Sequence, residues 1–230
     1  MATFIELILD NSKLTTDQVE HLEQLVAEWR LLADLSFADL VLWLPIRKDE
    51  KSWPDGYIAI AQIRPTTAAT VFSNDLIGST VNWGMRPILD QALSEGEIVR
   101  DSVPELIGEI MIKEESVPVI FAGKTLAIIS RHRNADLMRS PSKLELNYRE
   151  IAHKIFRMVA EGSFPIRNSI YNSESTPRVG DGLIRLDANG IIFFASPNAR
   201  SALSRVGYQS EIEKQNLGEV FASLAKGNTQ

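Results

Sequence analysis

The 230-residue chain carries 24 basic and 30 acidic side chains, a net charge of −6 with both signs interspersed, so the basic stripe that a nucleic-acid surface needs is missing. It contains no cysteine, which excludes disulfides, thiolate metal sites, cysteine nucleophiles and thiol redox sensing together. The length allows one large or two small domains, no apolar run reaches the roughly 20 residues of a membrane span, and the start MATFIELILDNSK lacks a signal peptide's basic region and cleavage site, so a cytoplasmic protein is expected.

The first long helix is expected in TTDQVEHLEQLVAEWRLLADLS, where Thr15 and Gln18 fit a capping box. Val19, Leu22, Val26, Trp29 and Ala33 recur at helical spacing, with Leu25 and Leu32 widening the stripe. So wide a stripe buries against the domain's own sheet or against the same helix of a second subunit. ADLVLWLPI and YIAIAQIRP read as two strands of an antiparallel hairpin around the Pro54-Asp55-Gly56 turn. ATVF reads as a short strand, SNDLIGSTVNWG as a loop, and MRPILDQALSEG as a helix stopped by Gly96. Three further strands are expected in ELIGEIMIK, VPVIFAG and KTLAIISRHR, the last turn being Gly123-Lys124.

A second long helix follows in SPSKLELNYREIAHKIFRMVAEG, with Ser142 and Glu145 as a capping box, Gly162 as its stop, and Leu144, Tyr148, Ile151, Ile155 and Val159 as its buried face. Antiparallel strands between long helices indicate an α+β domain over residues 1–161. Residues 162–179, rich in serine, asparagine and proline, read as a linker. From residue 180 the texture changes again. Leu183–Leu186 and Ile191–Phe194 read as strands around an Asp187-Ala188-Asn189-Gly190 turn, and Ser196 and Asn198 can cap a helix starting near Ala199. Two strands cannot hold a hydrophobic face alone.

The helix–strand–strand–helix–strands–helix order resembles a GAF domain, and GDGLIRLDANGIIFFASPNARSAL resembles the opening of a PAS domain. With EWRLLADLSFADLVLW, AQIRP, RMVAEGSFP and the Ser175-Thr176-Pro177-Arg178 approach to GDG, the whole chain is similar to the N-terminal sensor region of a soluble actinobacterial sensor histidine kinase of GAF–PAS–kinase order. The resemblance implies a fold of GAF domain (1–161), linker (162–179) and incomplete PAS-like domain (180–230). It implies a homodimer, a kinase domain in cis that uses ATP, a response regulator as partner, and an unknown small-molecule signal. Neither a phosphoacceptor box nor an ATP-binding domain is present. His153 in EIAHKIFR lacks the pattern that follows a phosphoacceptor histidine. The chain by itself is therefore expected to be non-catalytic, without a cofactor, and its unfinished PAS-like part to reflect a shortened chain with an unpaired strand edge after IIFFAS. A free-standing GAF module acting through dimer contacts, without a small ligand, is the alternative.

Other motifs yield to simpler readings. Gly123-Lys124-Thr125 lacks the earlier glycine and following helix of a phosphate-binding loop. The three histidines sit in no ligand-spaced motif, so no metal site is expected. KDEKS, KEES and EIEK read as solvated mixed-charge loops. The pattern typical of cyclic-nucleotide GAF domains is missing. The resemblance places a GAF ligand between the sheet and the segment SNDLIGSTVNWGMRPILDQAL. There Trp83 could stack on a planar ligand and Arg86 could meet an anionic group, against the plainer reading of core filling and surface charge. Leu22, Val26 and Trp29 are the candidates for a dimer interface, against core packing.

Overall fold

A computed structural model describes residues 3–49, 52–101, 103–107, 110–135, 140–166 and 178–227. The chain divides into two compact units, residues 1–176 and 177–230. Most of the expected linker lies outside the described residues.

The first unit opens with a helix absent from the sequence expectations, α1 (Phe4–Asn11), started by a Thr3/Glu6 capping box. The single helix expected over residues 15–36 is broken. α2 (Thr16–Ala27) starts at the expected Thr15/Gln18 box, and α3 (Trp29–Ser36) resumes after Glu28. At the break the Glu28 N–H lies 3.4 Å from Gln24 O and 3.2 Å from Leu25 O, a loosened ladder. Leu22, Leu25, Trp29 and Leu32 are all buried in the unit's own core. α3 ends on Phe37 in the left-handed region, φ 51°. Such a conformation is costly for a bulky residue, and here the ring is held by stacking on Tyr148 at 6.3 Å and by the Arg149 guanidinium at 5.9 Å.

Strands β1 (Asp39–Ile46) and β2 (Gly56–Ile63) form the expected hairpin. ATVF is not a strand: the Thr70 hydroxyl and Val71 N–H donate to the buried Asp39 carboxylate at 2.5 and 2.8 Å, a local claim that outcompetes sheet pairing. The expected loop after it contains β3 (Thr80–Asn82), paired with β2. Helix α4 (Pro87–Glu95) has proline in its first turn and stops at Gly96, φ 67°, as expected.

β4 (Val99–Arg100) and β5 (Glu105–Ile107) are short. The expected strand ELIGEIMIK is divided: Glu105–Ile107 is β5, and its latter part joins the KEES run and VPVIFAG in one 12-residue strand, β6 (Ile110–Phe121), which pairs from Ile112 onward with β7 (Lys124–Asn134). KEES is therefore no solvated loop; Glu115 is 5% exposed. The seven-stranded antiparallel sheet runs β3-β2-β1-β7-β6-β4, with β5 also paired to β6. Successive strand residues face opposite sides. Val41, Trp43, Tyr57, Ala59 and Ile128 pack under α4, and the other face is covered by α3 and by α5 (Lys143–Ala160).

Ser142 caps α5, accepting from the Glu145 N–H at 3.1 Å, but the expected capping box is only half formed, the Glu145 carboxylate pairing with Arg149. The buried stripe is Tyr148, Ala152, Phe156 and Val159 with Glu145. Leu144, Ile151 and Ile155, expected in it, are half-buried on its flank. The stripe is rotated because Tyr148 packs on Phe37 and Phe156 lies under the Arg131 guanidinium at 5.2 Å.

The second unit holds a 3₁₀ turn (Val179–Asp181), β8 (Ile184–Leu186), β9 (Ile192–Ala195), α6 (Pro197–Arg205) and α7 (Leu217–Gly227). Val179 is buried, so this unit starts before residue 180. The hairpin turn is as expected, with Asp187 Oδ1 accepting from the Asn189 and Ile191 N–H groups at 2.9 and 2.8 Å. Ser196 caps α6, whereas Asn198 donates to the Gly180 carbonyl. The edge expected to stay unpaired is covered in part: the Ile192 N–H donates to Gln215 O at 2.8 Å, and Ile191 bridges Asn216. Ile192, Ala195, Leu203, Ile212 and Val220 form a small core of its own.

Candidate functional site

The sheet face beneath α4 brings Trp83 and Arg86 together with polar groups that the sequence reading passed over. The approach to α4 is fixed by its own first turn: Asp90 accepts from the Tyr57 hydroxyl at 3.0 Å and from the Gly84 N–H at 2.9 Å. Burial, then Asp90, pushes the Tyr57 hydroxyl pKa up, so it remains a donor. Trp83 stacks on Tyr57 at 6.0 Å and meets the exposed Trp53 edge-on at 4.9 Å. It packs against the apolar cluster under α4.

Arg86, at the N-cap of α4, pairs with Glu114 of β6 and lies 5.7 Å above the Trp43 ring. Burial raises the Glu114 pKa and Arg86 opposes the rise, while Asp101 and Glu105 add to it. Behind Glu114 sits His132, 2% exposed, its Nδ1 3.9 Å from the carboxylate. Register sets this: Glu114 of β6 is directly opposite His132 of β7. Ser130 Oγ accepts from Trp43 Nε1 at 2.8 Å and lies 2.8 Å from His132 Nε2, and Phe72 meets the imidazole edge-on at 4.7 Å. Burial, reinforced by Arg86, pushes His132 down to about 3, so the ring is neutral at physiological pH. Glu114 Oε1 and His132 Nδ1 are buried without a hydrogen-bond partner among the described residues. Enclosed groups in that state favour a polar guest or water.

The loop over this face is tied down by carboxylates. Asp34 accepts from the Thr66 N–H and hydroxyl at 2.6 and 2.9 Å, and Asp39 holds residues 70 and 71. Gln62 accepts from the Leu76 N–H at 2.6 Å, and Phe72 and Leu76 complete the apolar lining. The arrangement offers a cation, acceptors and aromatic faces. The hydroxyl beside His132, that of Ser130, is fully buried and already accepts from Trp43 Nε1.

A separate cavity of about 320 Å³ opens at one end of the sheet, lined by Ser12, Lys13, Leu44, Arg47, Leu93 and Lys124 among others; neither Trp83 nor Arg86 reaches it. Of the residues expected at a dimer interface, Leu22 and Trp29 are buried within the unit, and Val26 is half-buried. Glu114 fell in KEES, read as a solvated loop, and Ser130 and His132 were legible only as members of the strand KTLAIISRHR. Their partners come from elsewhere in the chain, and no local spacing announces them.

A family model described as histidine kinase PdtaS, GAF domain, matches residues 4–152. The sensor histidine kinase PdtaS of Mycobacterium tuberculosis is 38% identical over 222 residues, covering 94% of this chain and 43% of the relative. That of Mycolicibacterium smegmatis is 38% identical over 228 residues, covering 97% of this chain and 44% of the relative. The chain thus spans less than half the length of these curated relatives. A solved structure described as the sensor region of a sensor histidine kinase matches with a TM-score of 0.78 at 32% identity, covering 99% of this chain and 80% of that one.

Proposed function

As the chain belongs to the PdtaS histidine-kinase GAF family, we propose that its sheet face under α4 receives a small-molecule signal for a kinase domain joined in cis. That kinase would use ATP and pass phosphate to a response regulator. The described residues contribute recognition, and the second unit would act as the PAS-like relay between GAF domain and kinase. The working form would be a cytoplasmic homodimer, to which Val26 and the half-buried Leu144, Ile151 and Ile155 flank of α5 offer apolar surface. A ligand here shifts the kinase only by the difference in its affinity for two arrangements of the helices.

The observation that carries this reading is the Arg86–Glu114–His132 group, enclosed by aromatic rings. A buried ion pair is often replaceable by apolar residues without loss of stability, so its presence in an apolar layer fits a recognition role. Trp83 would stack on the ligand and Arg86 would meet its anionic or carbonyl group, displacing Glu114. Thermal denaturation against a panel of nucleotides and small organic acids tests this. A saturable rise in Tm that Arg86→Met and Trp83→Leu abolish supports the pocket.

One observation favours a second reading. Trp83 and Arg86 are already engaged inside the chain, as a filled face would be. A GAF module acting through dimer contacts alone predicts no saturable shift with any compound, together with a dimer by sedimentation.

A further inference from the structure

The opposite face of the sheet carries a charge arrangement that folding does not explain. Lys113 of β6 stands directly across from Arg133 of β7, and like charges in that position destabilise a sheet. Arg149 of α5 closes on the same point: the three cations line one depression of about 160 Å³, together with Pro141 and Glu145. Glu145 pairs with Arg149. Deeper along the same face, Arg100 and Arg131 share Glu115 at 2.5 and 2.7 Å. These residues set five cations, Lys113, Arg133, Arg149, Arg100 and Arg131, against two carboxylates, Glu115 and Glu145, in a chain whose net charge is −6. The crowding is felt: burial and then Arg149 lower the Arg133 pKa, with Glu115 and Glu145 opposing.

The surroundings suit one kind of occupant. The 18-residue helix α5 begins beside Pro141 and Glu145, so the positive end of its dipole adds to the three side chains. The depression is too small for a nucleotide base and sugar but takes a tetrahedral oxyanion. Two arginines supply planar forks that match phosphate oxygens, and Lys113 adds a point charge.

We propose that this depression binds a phosphate group, free or as the end of a small phosphomonoester, held by Lys113, Arg133 and Arg149 across β6, β7 and α5. The site is independent of the pocket reading, since Glu114 and Glu115 project to opposite faces and Arg86 lies with Glu114. An anion seated there cancels the Lys113–Arg133 repulsion and ties the first turns of α5 to the sheet.

The test is titration calorimetry and thermal denaturation of the whole chain with inorganic phosphate and with phenyl phosphate, against chloride at matched ionic strength. Saturable stabilisation by phosphate is expected. Equal affinity for the two compounds assigns the site to free phosphate, and tighter binding of phenyl phosphate assigns it to a phosphomonoester. Lys113 is exposed, so Lys113→Gln keeps the fold. In chloride it should be at least as stable as the wild type, because a repulsion is removed, while its phosphate affinity falls roughly tenfold. Arg133→Gln should lose more. No saturable effect of phosphate, or an equal effect on wild type and Lys113→Gln, overturns the proposal. A loss of stability in Lys113→Gln without phosphate also overturns it, because Lys113 would then serve folding.

Discussion

Replacing Glu115 with alanine removes the one carboxylate that Arg100 and Arg131 share. The Glu115 side chain is 6% exposed and that of Arg131 21%, so the loss leaves a largely buried guanidinium facing Arg133, Arg100 and Arg149. Removing one partner of a buried pair costs about 3–5 kcal/mol, and the one-fifth exposure of Arg131 puts the expectation near the lower bound, about 3 kcal/mol. For a unit of this size each kcal/mol moves Tm by about 2–4 °C, which gives a fall of roughly 6–12 °C. Denaturant unfolding followed by tryptophan fluorescence is the assay, because all four tryptophans, Trp29, Trp43, Trp53 and Trp83, lie in the first unit. Glu115→Gln keeps the volume and separates charge from packing. Glu150→Ala is the control: its pair with Lys154 at 3.2 Å has both side chains more than half exposed, and its loss should cost less than about 0.5 kcal/mol. A Glu115→Ala cost below about 1 kcal/mol, or equal to the control, would refute the claim that this pair is buried structure.

His132 should stay neutral down to about pH 3. The unfolded chain takes up this proton near pH 6.5, so the neutral ring contributes stability above that pH and loses it as pH falls. Asp39 and Glu114, whose carboxyls burial raises, act in the opposite sense, so the comparison is with His132→Gln. Between pH 6.5 and 5 the wild type should lose roughly 1–2 kcal/mol more than the variant, and an NMR titration midpoint for His132 near 6.5 would contradict this. Asp39→Ala should release the loop over the candidate pocket, seen as faster amide exchange at Val71 and new proteolytic cleavage between residues 64 and 79; unchanged exchange would show the loop is held by packing alone. Gly182 has φ 106°, and a Cβ there would come within 2.7 Å of the Ala199 backbone nitrogen. Gly182→Ala should therefore cost the second unit more than about 2 kcal/mol, read as lost helical circular dichroism with tryptophan fluorescence unchanged. A variant with full helical signal and unchanged melting would show that the turn adapts.

Much of this protein was legible in its sequence because the signals were local. Thr15 with Gln18, Ser142 with the Glu145 amide, Gly96 after α4 and the Asp187–Gly190 turn each depend on residues within a few positions, and all are as the spacing indicates. Periodicity gave the strands and helices and, through them, the resemblance to a GAF domain. Tertiary structure decided what local spacing cannot encode. A helix-compatible run over residues 15–36 breaks at Glu28, with Trp29 buried in the core just beyond it. ATVF forgoes a strand because Asp39, 31 residues before Thr70, holds Thr70 and Val71. KEES looks like a solvated loop until β7 is laid beside it; then Glu114 meets His132 and Arg86, and Glu115 meets Arg131 and Arg100. Hydrogen bonds and dipoles within a turn are set by neighbours in the chain. The partner of a buried charge is set by which strand lies opposite, and that is fixed only when the sheet closes.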